Sequence, residues 1–161
     1  MKKLSAFLIG ILTGLISAGL AVWLLMPTMM LSVYPSRYGF EETLALLQRE
    51  TENMGWKVSK VYDIQQSLKN AGHEDMTRAS IFSICQPHHA YRILNNDDNK
   101  KVLAVMPCRV GIYEGKDGKT YITEMNIGLM GKMFGGTIAE VMGNAAADER
   151  QILASLIERT E

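Results

Sequence analysis

The residues best suited to chemistry lie in two short stretches, each holding one of the chain's two cysteines. In "FSICQPHHAYRIL" (82–94), His88 and His89 follow Cys85 by three and four positions, and in "VMPCRVGIYE" (105–114), Met106 precedes Cys108. Thiolate, thioether and imidazole are the ligands that Cu(I) prefers, and haem iron also accepts them. These five residues are therefore our candidate site for a soft metal, haem or a sulfur species.

Three functions fit these residues. A binding module needs only a partial ligand set. A thiol-redox enzyme would use Cys85 as nucleophile, His88 or His89 as base and Cys108 as resolving thiol, but the sequence offers no evident orienting acid and no H-E-x-x-H motif. A non-catalytic accessory subunit of a membrane complex needs no site, because free cysteine often serves as a small buried hydrophobe. We favour the binding module and leave open whether the protein is an enzyme.

The segment Leu4–Met26 predicts an N-terminal transmembrane helix. It holds 23 uncharged residues directly after Lys2 and Lys3. At 1.5 Å per residue it spans about 34 Å, which is enough to cross a hydrocarbon core of roughly 30 Å. A cleaved signal peptide is the alternative, although its apolar region is usually only about 7–15 residues long. We therefore expect an uncleaved anchor in the lipid bilayer.

The two lysines before the anchor indicate its orientation. Positive residues favour the cytoplasmic side, so we expect a single-pass protein of the inner (cytoplasmic) membrane whose C-terminal domain lies outside the cytoplasm, in the periplasm or cell exterior. Cysteines in that compartment pair when geometry allows, and whether Cys85 and Cys108 form a disulfide stays open. An unidentified membrane or periplasmic protein is the expected partner.

Two further observations concern partners. The small residues Ala6, Gly10, Gly14 and Ala18 recur at every fourth position of the anchor, and such a face predicts a homodimer, unless these residues are there only because they are common in membrane helices. Beyond the two leading lysines the chain has 15 basic and 17 acidic residues. This balance argues against a nucleic-acid partner.

The soluble part mixes helical and strand-like patterns. Amphipathic periodicity predicts helices over 40–54, 63–71, 87–94 and about 133–158. Alternation predicts strands over 56–62, 78–85, 102–114 and 119–127, with a hairpin turn at Asp117–Gly118, a loop over 95–101 and a flexible glycine-rich junction over 128–136. Asp63 suits a helix N-cap, Pro87 a first helical position, and Gly55 and Gly72 suit helix ends.

Strand parity places the sulfur atoms. If 102–113 is one strand, Met106 and Cys108 share its apolar face with Val110 and Ile112. Cys85 ends the preceding strand, just before the helix that begins at Pro87. We therefore expect both thiols and the thioether to meet at the start of that helix, where the helix dipole favours thiolate.

Three segments carry a family resemblance: "FEETLALLQRETENMGWKV", "CQPHHAYRIL" and "MPCRVGIYEGKDGKTYITEMN". Over residues 36–128, and most specifically in the spacing of Pro107, Arg109, Tyr113 and Gly118, the chain resembles the domain-of-unknown-function 302 family. The resemblance implies a compact α+β fold, often paired as a dimer, with no established catalytic residue. Family members often have other residues at the cysteine and histidine positions, so the resemblance assigns these no role.

The expected architecture follows from these patterns. Residues 1–30 form the transmembrane anchor, and residues 31–161 form a soluble α+β domain. Its small, mostly antiparallel sheet has helices packed on it.

Overall fold

The computed structural model describes residues 2–158, with side chains from residue 10 onward and at Phe7. Over this range the chain forms five strands, six α-helices and one 3₁₀ helix. Their order is α1 Lys2–Met30, β1 Leu31–Pro35, α2 Phe40–Asn53, β2 Lys57–Asp63, α3 Ile64–Asn70, β3 Ala79–Cys85, α4 Pro87–Leu94, the 3₁₀ helix Asp97–Val105, β4 Cys108–Glu114, β5 Thr120–Met125, α5 Ile127–Phe134 and α6 Gly136–Leu153. The side chains of Lys2, Lys3 and Ala6, which the anchor and dimer predictions use, lie outside the described part, as do residues 159–161.

Helix α1 runs unbroken through Pro27. Its stretch Gly10–Met30, 21 residues near the N-terminus, is long and apolar enough to cross a membrane, and none of it is buried against the rest of the chain. A Cβ atom added at Gly10 or Gly14 would meet nothing within 4 Å. The small-residue face is therefore open, and the homodimer stays a prediction.

The five strands form one antiparallel sheet in the order β1-β5-β4-β3-β2. Because β1 directly follows α1, the register identifies one end of the sheet as the end nearest that helix. Leu31 pairs with Met125 there, Ile84 pairs with Cys108, and Lys57 pairs with Cys85. We call this the α1 end of the sheet, and the β4–β5 hairpin lies at the opposite end.

The core lies between one face of the sheet and the helices α2, α4 and α6. Its largest fully buried strand residues are Phe82, Ile84, Val110, Ile112 and Ile122, which the register places on one face. Helix α6 contacts α2, α4 and α5 and so closes the helical layer. The predicted fold class, α+β with helices on a mostly antiparallel sheet, is confirmed.

Most predicted helix and turn signals are confirmed. The Asp63 side chain accepts a hydrogen bond from the Gln66 N–H at the start of α3, and Pro87 occupies the first turn of α4. Gly55, Gly72 and Gly118 all adopt positive φ, which glycine tolerates without the steric cost of a Cβ.

The predicted strand over 102–114 is wrong in its first half. Residues 97–105 form the 3₁₀ helix, which also replaces the loop predicted over 95–101, and β4 begins only at Cys108. The Asn96 side chain accepts the Asp98 N–H and so caps this helix. An apolar run such as 102–106 has no period that separates a buried strand from a helical turn.

Two other segments also differ from prediction. Residues 31–35, for which no strand was predicted, form the edge strand β1, where Pro35 is tolerated because some N–H groups of an edge strand need no partner. Residues 127–134 form helix α5 instead of a flexible junction, and the break before α6 falls at Gly135 and Gly136, both with positive φ.

Candidate functional site

Four of the five predicted site residues line one small cavity at the α1 end of the sheet. Cys85, His89, Met106 and Cys108 surround a space of about 40 Å³, with Trp56 and apolar residues of α4 and α6 completing the wall. His88 does not line it, and its side chain is exposed. We call this space the sulfur cavity.

Local capping fixes the start of α4. Gln86 precedes α4, and its side-chain oxygen accepts the backbone N–H groups of both His88 and His89. This cap satisfies two N–H groups that have no partner within the helix. Within this first turn His89 lies toward α6, where it contacts Asp148, and His88 is exposed to solvent.

The two cysteines enter the cavity from neighbouring strands. Cys108 is the first residue of β4 and pairs with Ile84, so Cys85 is one residue out of register with it. Adjacent residues of a regular strand point to opposite faces. Both cysteines nevertheless border the cavity, because Cys85 is the last residue of β3, where the chain turns into α4. Both are free thiols in this structure.

His89 is held by an acid that the sequence did not reveal. Its Nε2 lies 3.1 Å from Asp148 Oδ2, and Trp56 Nε1–H donates to the same oxygen at 3.2 Å. The Trp56 and His89 rings meet edge to face, with centroids 6.1 Å apart. Because an ionised carboxylate can only accept, the proton of this hydrogen bond sits on His89 Nε2. The sequence offers no evident orienting acid, and Asp148 is such an acid in the structure.

The other ring nitrogen of His89 is unusual. Nδ1 is buried and has no hydrogen-bond partner among the residues that the structure describes. With the proton on Nε2, Nδ1 of the neutral ring carries a lone pair. A buried polar atom without a partner costs about 1–3 kcal/mol, so this nitrogen is free to bind a ligand at a gain in stability.

Burial keeps both thiols protonated. It raises the pKa of Cys85, and it raises the pKa of Cys108 to about 12, with smaller contributions from the repulsion that Glu149 and Cys85 exert when ionised. The prediction that the N-terminus of α4 lowers the Cys85 pKa is wrong in direction, because the cost of removing the thiolate from water exceeds the favourable field of one helix end.

Two acids, one half-buried and one buried, lie near Cys108 on the core face. Glu124 of β5 and Glu149 of α6 both have raised pKa values, in each case mainly through burial, and Glu149 reaches about 8. Only 3% of Glu149 is exposed. Its position in the apolar stripe of α6, between Ala145 and Ile152, is the sequence signal that would have found it.

The geometry limits what the cavity can hold. Ligand pockets for cofactor-sized molecules measure about 300–1,000 Å³, so a 40 Å³ space does not fit haem. Among the described residues, no group of three or more His, Cys, Asp or Glu side chains is arranged to hold a metal ion. A bound ion would therefore use few ligands or draw on the Met106 thioether.

The chain matches a known protein family over most of its length. Residues 33–159 match the family described as "Domain of unknown function DUF302", and the chain belongs to this family. A solved structure, an uncharacterized conserved DUF302 protein from Bacillus stearothermophilus, aligns with a TM-score of 0.68 at 23% identity and covers 80% of this chain and 96% of its own. Comparison with curated proteins gives no match. The alignment supports the fold and assigns no activity.

Proposed function

We propose that the protein is a membrane-anchored binding module that holds Cu(I) in the sulfur cavity, outside the cytoplasm. The observation that carries the proposal is the environment of His89. Its Nε2 is hydrogen-bonded to Asp148, and its Nδ1 is buried without a partner among the described residues. Histidines that ligate metals usually donate their other ring N–H to a carboxylate or carbonyl, which fixes the ring and makes the ligating nitrogen more basic.

The donor set favours a soft monovalent ion. Cys85 and Cys108 supply thiols, Met106 a thioether and His89 an imidazole nitrogen, all on the wall of one cavity. Soft sulfur ligands select Cu(I) over harder divalent ions. Cu(I) is stable with as few as two such ligands, so the incomplete cluster is sufficient. Binding replaces each thiol proton with copper and releases that proton, so affinity should rise with pH.

The anchor supports the location. The stretch Gly10–Met30 spans about 31 Å as a helix, close to the roughly 30 Å hydrocarbon core. Lys2 and Lys3 precede it, which favours a cytoplasmic amino end. The sulfur cavity would then lie at the end of the domain nearest the outer membrane surface.

The two adjacent histidines provide the test. Full-length protein in detergent, with its thiols reduced, is titrated with Cu(I) against a chromophoric chelator. We expect one Cu(I) per chain, a loss of affinity of about 10–100-fold in His89→Ala and little change in the matched control His88→Ala. Equal affinities in the two variants, or no retention by the unsubstituted protein, would overturn the proposal.

Thiol-redox catalysis is the second candidate, because Asp148 and His89 supply the acid–base pair that such an enzyme needs. The raised pKa values of both thiols count against it, since the thiolate is the reactive form. Alkylation of both cysteines more slowly than free cysteine at neutral pH would exclude it. If the protein binds no copper and has no reactive thiol, the remaining function is that of a non-catalytic accessory subunit.

A further inference from the structure

Exposed apolar side chains occur on several of the elements that begin or end at the α1 end of the sheet. They come from β1, the 3₁₀ helix, β5 and α5, and they are Leu31, Leu103, Val105, Met125, Met133 and Phe134. Met133 is 64% exposed and Phe134 43%. We call these six residues the apolar end surface. A patch built from several elements at one end of a domain marks an interaction site, whereas single exposed apolar residues are ordinary.

The start of helix α5 is hydrogen-bonded to the C-terminal end of α1. The Asn126 backbone N–H donates to the Met30 carbonyl at 2.8 Å, and the Asn126 side-chain amide donates to the Met29 carbonyl at 3.2 Å. The same side chain accepts the Leu129 N–H and caps α5. The position of α5 is therefore set relative to the helix that would cross the membrane.

A groove that is mostly apolar, but whose wall also includes Arg109 and Glu124, adjoins this surface. A space of about 360 Å³ opens between the end of the 3₁₀ helix and the ends of β1 and β5, bordered by Leu31, Val105, Met125 and Ile127 among others. Cys108, Met106 and Pro107 border both this groove and the sulfur cavity. The two spaces are therefore neighbours on the side that faces the exit of α1.

We propose that the apolar end surface rests on the lipid bilayer, in the leaflet from which α1 emerges, as a second membrane contact. Met133 and Phe134 enter the headgroup region at the end of α5, and Lys132 beside them is exposed to meet anionic lipid. Asp97 and Asp98, at the start of the 3₁₀ helix, are also exposed. Their negative charges are opposite in sign to that of Lys132.

The direct connection between α1 and the apolar end surface indicates that lipid covers this surface. The first residue after α1, Leu31, belongs to the apolar end surface, and Met29 and Met30 hold α5 through their carbonyls. A domain joined to an inserted helix without a linker has this end at the bilayer surface. The proposal rests on the proposed anchoring of α1, and it would direct the groove beside the sulfur cavity toward the membrane.

The test uses the full chain in vesicles of phosphatidylcholine and phosphatidylglycerol. An environment-sensitive fluorophore is attached at Phe134→Cys in a Cys85→Ala/Cys108→Ala background, and nitroxide-labelled lipids act as quenchers. The matched control is Lys116→Cys. Lys116 is exposed in the β4–β5 hairpin, at the opposite end of the sheet, and the two ends of the sheet are about 20 Å apart. A Met133→Cys variant provides a second position, and circular dichroism checks folding.

We expect the probe at 134 to lose most of its fluorescence to nitroxide lipids and the probe at 116 to keep its fluorescence. An unquenched probe at 134 in protein that resists alkaline extraction would overturn the docking and leave the anchor intact. If alkali extracts the protein from the vesicles, both the docking of the apolar end surface and the anchoring of α1 are overturned. A signal at 134 that depends on protein density and not on nitroxide lipid would identify a second copy as the occupant and also overturn the docking.

Discussion

At the scale of single residues, the site depends on partners that are far apart in sequence. Asp148 lies 59 positions after His89 and 92 after Trp56, and it binds both. The sequence identified His89 through its closeness to Cys85, but it could not identify Asp148, because no spacing rule connects α4 with α6. It also could not separate His88 from His89, since that distinction depends on which side of α4 packs against α6.

The first prediction concerns Asp148, whose carboxylate is hydrogen-bonded to His89. Asp148→Asn removes the charge that orients the ring, so we expect Cu(I) affinity to fall about 10–100-fold while the fold persists. Glu140→Gln is the matched control, because Glu140 lies on the same helix, is exposed and pairs only with Arg92 among the described contacts. Chelator competition measures both variants, and equal affinities would contradict a role for Asp148 in holding the ligand.

Glu149 makes the second prediction, on pH. In the unfolded chain this carboxyl ionises near its usual pKa of 4.5, whereas in the fold its pKa is about 8. The unfolded state therefore loses its proton first, and the free energy of unfolding falls as pH rises from 4.5 to 8. Glu149→Gln should remove this decline and stabilise the protein by on the order of 3–5 kcal/mol above pH 8.

Urea unfolding of the wild-type chain and the Glu149→Gln variant, at about pH 5 and about pH 9, measures this effect. The two proteins should differ more at the higher pH. A difference that does not change with pH would mean that Glu149 is not ionised on unfolding as described.

At the scale of elements, prediction from the sequence was most accurate where neighbouring residues determine the boundary of a helix. Asp63, Pro87 and the glycines after α2 and α3 act within one turn, and the predicted boundaries there agree with the structure within one or two residues. It failed at 102–106 and 127–134, where short apolar segments take their conformation from tertiary contacts. Helix α5 packs along α6, a partner that periodicity alone cannot indicate.

The packing of α5 on α6 makes the third prediction. A Cβ atom at Gly131 would lie 2.7 Å from the Met142 Cβ and 3.5 Å from the Ala139 backbone. These atoms cannot rotate away, so Gly131→Ala should force the helices apart and destabilise the protein by about 1–3 kcal/mol.

The control for this prediction lies on α6. Gly143 is exposed, and an added Cβ would meet nothing within 4 Å. Gly143→Ala should therefore stabilise by about 0.5–1 kcal/mol through helix propensity. Thermal unfolding compares the two variants, and equal effects would show that α5 and α6 are not closely packed.

At the scale of the whole molecule, helix α1 and the domain meet at the end that holds the sulfur cavity. The sequence predicted an apolar N-terminal helix and an α+β domain separately. It did not indicate which end of the sheet would adjoin the helix, because that depends on the register of β1 with β5. Since Leu31 pairs with Met125, the free cysteines, the groove and α5 all lie near the exit of α1.

This arrangement makes a fourth prediction, on topology. Lys2 and Lys3 should keep the amino end in the cytoplasm, so protease added to spheroplasts should remove the domain while α1 stays in the membrane. Glu substitutions at both lysines should protect a fraction of the chains. Complete protection of the unsubstituted protein would place the domain in the cytoplasm and contradict the proposed location.

The most direct measurement of the central claim is X-ray absorption at the copper edge of the Cu(I)-loaded protein. We predict sulfur ligands together with a single imidazole nitrogen in the wild-type protein and in His88→Ala, and loss of the nitrogen in His89→Ala. A copper environment that is the same in all three proteins, or that contains no sulfur, would contradict the account.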